Sequence, residues 1–280
     1  MVLEDGDIIL ALTPDRRCPM WRRDGLCRIQ AELGEAALSH TCCDFPRLRH
    51  DYGDFVELGL ELSCPEAARL ILSGQGQTLV TAQEPGGEEP EYDAEAMALL
   101  LESRQQALDI LADPQYTPGQ ALAILLFLAY SLQAQLDGDE AAPFSPDAAL
   151  STAEKIAVRE SGDGILALYQ SLEILKPDWK DRLQAPQGSA WTETHRHLAV
   201  YFVMRHWLQA VSDFDLVGRA KFIVASCLVI KLLGGELSDT AQRYSKEIEN
   251  DADNVDALLD AAYTSPAMAD IRLLGLLLED

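Results

Sequence analysis

Residues 117–135 read TPGQALAILLFLAYSLQAQ. Thr117 suits a helix cap and Pro118 the first helical position, where no N–H is needed. An almost unbroken apolar run continues from there. A second run occupies residues 222–233. The apolar parts, 121–132 and 222–233, fall short of the roughly 20 residues a membrane-spanning helix needs. Both therefore read as buried core helices, and a chain that holds two of them is organised around helix packing.

On either side of these runs, the helical pattern extends through residues 92–112, 118–135, 146–160, 164–175, 191–212, 216–233, 238–250, 255–264 and 266–278. The beginning of the chain is different. Residues 7–12 (DIILAL) and 55–62 (FVELGLEL) fit strands. Residues 26–41 fit a short helix or two turns interrupted at Gly34. Ser63-Cys64-Pro65-Glu66 opens a helix that stops near Gly74, with Pro65 in its first turn and Glu66 at the positive end of its dipole. Residues 75–91 carry Gly76, Pro85, Gly86, Gly87 and Pro90, which is linker composition. The expected fold is mainly α. A small cysteine-rich α+β segment (1–74) is joined by that linker (75–91) to an all-α bundle (92–280) on which it packs.

The 280 residues include 22 basic and 46 acidic side chains, a formal net charge of -24. Such a surface repels nucleic acid and anionic lipid and suits a basic partner, although acidity also serves plain solubility. The acidic start, Met1-Val2-Leu3-Glu4-Asp5, is no secretory signal, so the expected location is cytoplasmic.

Five of the six cysteines fall in the first quarter of the chain: Cys18, Cys27, Cys42, Cys43 and Cys64. In a reducing compartment, clustered cysteines point to metal binding or redox chemistry more than to disulfides. Zinc and iron–sulfur clusters each gather four thiolates, and the nearby Arg16, Arg17, Arg22 and Arg23 would favour the thiolate form. The spacing matches no compact zinc or ferredoxin run, so unliganded structural cysteines stay open as a reading. Adjacent Cys42 and Cys43 do not easily face one ion together.

Three ordered blocks carry a family resemblance. Cys18-Pro19-Met20-Trp21, Asp24-Gly25-Leu26-Cys27-Arg28-Ile29-Gln30, Thr41-Cys42 and Phe45-Pro46-Arg47 form the first, and Glu61 to Arg69 (ELSCPEAAR) the second. Far downstream stands Tyr244-Ser245-Lys246-Glu247-Ile248-Glu249-Asn250, preceded by Tyr201-Phe202-Val203-Met204-Arg205. These resemble the flagellin lysine-N-methylases. The resemblance implies an S-adenosylmethionine-dependent protein-lysine methyltransferase with an iron–sulfur cluster, or zinc in its place. It implies flagellin or a similar protein as substrate, Cys18, Cys27, Cys42 and Cys64 as metal ligands, and Arg47 as a cofactor contact. Members of that family usually begin with a further cysteine-rich segment, which this sequence does not show. On that account the expectation includes a form without catalysis.

Other residues are weighed from their own chemistry. On a helix Tyr244, Glu247 and Ile248 share a face, and Ser245 and Glu249 pair at four residues. A lysine nucleophile must lose its proton, so Tyr244, Glu247 or Glu249 could act as base. The alternative is an amphipathic helix that docks through Tyr244 and Ile248. His195, His197 and His206 complete no zinc motif and read as core or surface histidines. Cys227 reads as a small buried residue. Gly74-Gln75-Gly76 and Gly162-Asp163-Gly164 read as turns, because neither has the strand and helix a dinucleotide fingerprint requires. The helical two-thirds offers no alternating strands, so any S-adenosylmethionine site would be non-classical. Three functions remain: a methylase, a metal-binding protein without that activity, and a helical interaction protein.

Overall fold

The computed structural model describes residues 2–4, 7–15, 17–74, 80–82, 91–140 and 142–279. It divides into two compact units, Met1–Arg47 and Leu48–Asp280.

The first unit opens with an antiparallel hairpin, β1 (Val2–Glu4) and β2 (Asp7–Ile9), so the expected strand at 7–12 is realised over three residues. An isolated bridge pairs Trp21 with Cys27. Helix α1 (Arg28–Leu33) stops at Gly34, whose φ of 83° is open to glycine and costly for other residues. A 3₁₀ turn and α2 (His40–Asp44) come next, with the Ser39 hydroxyl accepting from the Cys42 N–H at 3.4 Å. None of residues 10–15 and 17–47 is buried.

The second unit begins within β3 (Arg47–Asp51), which joins β4 (Val56–Leu60) and β5 (Val80–Ala82) in a sheet of order β3-β4-β5. β5 pairs antiparallel with β4 inside the stretch read as linker; the rest of 75–90 lies outside the described residues. Helix α3 (Pro65–Leu72) starts at Cys64 and Pro65 as expected. Leu62, Ala67, Ala68, Ile71 and Leu72 are buried in the same core as the later helices. That burial is why the division falls after Arg47 and not near Gly74.

The remaining helices are α4 (Ala94–Ala112), α5 (Pro118–Leu136), α6 (Pro146–Ile156), α7 (Asp163–Gln170), α8 (Pro177–Gln184), α9 (Glu193–His206), α10 (Ala210–Asp213), α11 (Leu216–Leu233), α12 (Leu237–Tyr244), α13 (Ala252–Thr264) and α14 (Asp270–Leu277). Thr117 and Gln120 form a reciprocal capping box at the start of α5. Among the described residues α5 is the one helix long and apolar enough to cross a membrane, and α4, α6, α9, α11 and α14 pack against it. In α11 every residue but Arg219 and Leu232 is buried, against α5, α9 and α13 among others. These two apolar helices form the axis of the core, as their composition required.

Candidate functional site

The Tyr244–Glu249 block changes the helix type. α12 ends at Tyr244, and Ser245–Glu249 forms a π-helical turn, closed by the Asn250 N–H donating to the Ser245 carbonyl at 3.0 Å. Such widened turns are rare and often mark functional positions. This one turns Ser245, Glu247, Ile248 and Glu249 inward together.

Glu249 is the centre of a buried polar cluster. Its carboxylate lies 3.3 Å from Arg205 Nε and 3.2 Å from His206 Nε2, and it accepts from the Tyr201 hydroxyl at 3.3 Å. Arg205 Nη1 donates to the Tyr201 oxygen at 2.7 Å, which closes a ring of contacts across two helical elements. Burial alone would push the Glu249 carboxyl up, but the Arg205 charge and the His206 hydrogen bond outweigh it and hold the group below the ordinary carboxylate range. The same burial pulls His206 down, so its imidazole is neutral at neutral pH and donates through Nε2. Burial raises the Tyr201 hydroxyl, and the Glu249 charge raises it further. The cluster is thus a fixed carboxylate–guanidinium pair whose remaining members stay neutral.

A second pair lies beside it. Arg104 holds Glu57 with two bonds, 2.7 and 3.0 Å, both side chains almost wholly buried. His50 is lowered by burial and by the charge of Arg205, and Tyr52 is pushed up to about 12 by burial and by Glu57. The start of α3 reaches the same region: Gln242 Nε2 donates to the Ser63 carbonyl at 2.9 Å, and Cys64 acts electrostatically on Lys246 of the π turn.

The expected residues take distinct places. Tyr244 is fully buried, 2.7 Å from Ser226 Oγ and 3.2 Å from the Tyr169 hydroxyl, with Phe202 and Trp179 edge-on to its ring. Burial and the adjacent Tyr169 drive its hydroxyl far above the usual range for tyrosine, which makes it a poor base at neutral pH. Glu247 accepts from the Leu175 N–H at 2.8 Å and so anchors the approach to α8, while Asn254 bridges the carbonyls of Glu173 and Glu247. Tyr244 and Glu247 therefore hold the fold together, and Glu249 holds charge. Ile248 is buried as the docking alternative supposed.

Of the cysteines, Cys18 and Cys42 are exposed, Cys27 and Cys64 half-buried, and none is in a disulfide. Cys18, Cys27 and Cys42 belong to the first unit and Cys64 to the second. Among the described residues no three Cys, His, Asp or Glu side chains gather as a metal ion requires. Arg47 is exposed and its Nη1 donates to the Cys43 carbonyl at 2.6 Å, which ties down the end of α2. Arg16, one of the expected thiolate-favouring arginines, lies outside the described residues. His197 Nδ1 meets the Leu72 carbonyl at 2.8 Å, and Cys227 is buried in α11.

Sequence reasoning passes over Tyr201, Arg205 and His206 as site residues. The signal is nonetheless present: Tyr201 and Arg205 stand four apart, hence on one helix face. An arginine on a face otherwise made of core residues calls for a buried acid. The downstream block supplies it, so two segments far apart in the chain meet at Glu249.

Comparison with known proteins adds a partial relationship. A stretch of 56 residues, 20% of this chain, is 50% identical to the flagellar biosynthetic protein FliU of Salmonella muenchen, of which it spans 33%. The same length at the same identity matches the lysine-N-methylases of Salmonella typhimurium and Salmonella choleraesuis, in each case 14% of the relative. No family model matches, and no solved structure matches. The chain thus shares a short, half-identical segment with lysine-N-methylases and covers a minor part of their length.

Proposed function

We propose that this chain acts in protein-lysine N-methylation, with S-adenosylmethionine as methyl donor and flagellin or a similar surface protein as substrate. The observation that carries this reading is the 56-residue stretch half identical to lysine-N-methylases. The acidic surface supports a lysine-bearing partner, because 46 acidic residues face 22 basic ones. Within the fold, the Glu249–Arg205–Tyr201 cluster supplies a rigid charged floor beneath the start of α3. Its part is to position neighbouring groups, since its own carboxylate is already committed to Arg205. Arg47, exposed beyond its bond to Cys43, is the proposed contact for the carboxylate of the methyl donor. The iron–sulfur or zinc centre of the family would draw on Cys18, Cys27, Cys42 and Cys64.

A second reading is a helical interaction protein of the same descent without metal or catalysis. It is favoured by the full burial of Tyr244 and of the Glu249 side chain.

The full chain, purified without oxygen, is analysed for iron, zinc and sulfide and then given labelled S-adenosylmethionine and flagellin. Label on lysine side chains supports the methylase. A metal-loaded chain that transfers no label rejects it, and a metal-free, inactive chain selects the second reading.

A further inference from the structure

A groove of about 610 Å³ opens where the end of α5, the corner before α11 and the face of α13 meet. Three aromatic rings line it, Tyr130, Phe214 and Tyr263, together with three carboxylates, Asp137, Asp139 and Asp215. All three rings are exposed, at 42%, 42% and 62%, although burying such rings is among the strongest driving forces a fold has. They are also held in place. The Tyr130 hydroxyl donates to Asp270 at 2.8 Å and that of Tyr263 to Asp215. Phe214 sits at φ 56°, fixed by its N–H on the Ala210 carbonyl and by Gln133 Nε2 on its own carbonyl, each at 2.8 Å.

The carboxylates have no ion-pair partner among the described residues. The nearby cations are engaged elsewhere, Arg219 with Asp213 and Lys221 with Asp270. Nor are the acids arranged for a bare metal ion, since no three metal-ligating side chains gather among the described residues. Asp215 accepts from the Gly218 N–H at 2.8 Å and Asp137 from Gln133 Nε2 at 3.0 Å, neutral donors that leave the charge in place. Rigid exposed rings beside carboxylates without an ion pair suit a cation that is organic, whose charge meets the acids and the ring faces while its alkyl stem covers apolar surface. The Tyr263 ring shows the preference within the fold itself, with Lys221 Nζ 5.9 Å from its centroid.

We propose that this groove holds a lysine side chain of a partner protein segment, as ammonium or methylated ammonium. Its nitrogen sits among Asp137, Asp139 and Asp215, and its stem lies on Tyr130, Phe214 and Tyr263. The inference deepens the proposed function, on which it rests for the class of substrate. The binding chemistry is argued from the groove alone.

The test is binding of the full chain, without methyl donor, to a short labelled peptide with one central lysine, to its trimethyl-lysine form, and to glutamine and arginine counterparts. Lysine and trimethyl-lysine peptides bind and the glutamine peptide does not. Phe214→Gly, which suits the positive φ and so keeps the fold, weakens binding by roughly two- to fivefold. Asp139→Asn weakens it at low salt and less at high salt. Equal binding of glutamine and lysine peptides, unchanged binding by both variants, preference for arginine, or displacement by millimolar calcium overturns the proposal. Binding without methylation keeps the groove and rejects the enzyme reading. Methylation with no measurable peptide binding does the reverse.

Discussion

Replacing Glu249 with glutamine tests the buried cluster directly. The substitution keeps the volume but removes the charge that holds Arg205, whose side chain is 11% exposed. An arginine cannot shed its proton, so it remains buried, charged and short of a partner. Removing one member of a buried pair costs about 3–5 kcal/mol. The glutamine amide oxygen still accepts from His206 and Tyr201, which reach Glu249 at 3.2 and 3.3 Å, so the loss comes from Arg205 and lies toward the lower end of that range. Urea unfolding followed by the fluorescence of buried Trp179 and Trp207 reports it as a lower midpoint at constant slope. The double variant Glu249→Leu with Arg205→Met removes both charges and recovers most of the loss, because a paired apolar replacement is often neutral. A Glu249→Gln loss below about 1 kcal/mol, the range of solvated pairs, refutes the assignment of a desolvated pair. So does a double variant no more stable than the single one, since charge would then not be the cause.

The packing sets three further outcomes. His195 caps its own helix: Nδ1 accepts from the Thr192 N–H at 3.1 Å, and burial with the Lys231 charge lowers its pKa to about 4. Because the folded value lies below the unfolded one, its contribution is full above about pH 6.5 and is lost as pH falls toward 4. The loss is about 3 kcal/mol, and His195→Gln, a capping-box residue, flattens that limb of a stability–pH curve; an unchanged slope counts against it. Tyr244→Phe costs about 1–2 kcal/mol through its lost hydrogen bonds and, on the proposed methylase function, leaves methyl transfer per folded molecule intact. A large fall in kcat with an unchanged Tm would instead make Tyr244 catalytic. At Gly119 an added Cβ would lie 2.1 Å from the Leu277 carbonyl oxygen, whereas at Gly164 it meets Ala267 at an ordinary 3.7 Å. Gly119→Ala therefore destabilises by about 3 kcal/mol or more, and Gly164→Ala is tolerated in the same thermal melt.

The helical body is legible where residues carry both a boundary and a face. Thr117-Pro118 and the uniform apolar run define α5, and the pattern bounds α11 to the residue. Helix α8 escapes the pattern because PDWKDRLQ offers two apolar anchors, Trp179 and Leu183, in an otherwise polar octet. Strand β3, RLRHD, is polar enough to pass for loop. The π turn carries no glycine or proline to announce it, although it buries Glu247 and Glu249 together. Its residues are visible in the sequence, but their partners are not. Tyr201 and Arg205 lie over forty residues away from Glu249 in the chain, and pattern along a chain does not report such meetings.

From residue 10 to residue 47 the first unit shows no interior: none of residues 10–15 and 17–47 is buried. A polypeptide without an interior has no cooperative melting transition of its own, because little apolar surface is exposed on unfolding and little heat capacity changes. A calorimetric scan of the chain as it stands would register the Leu48–Asp280 unit, with the cysteine-bearing segment thermally silent. Its order would be a readout of what it binds, and an added ligand that gave it a melting endotherm would identify itself by that fact.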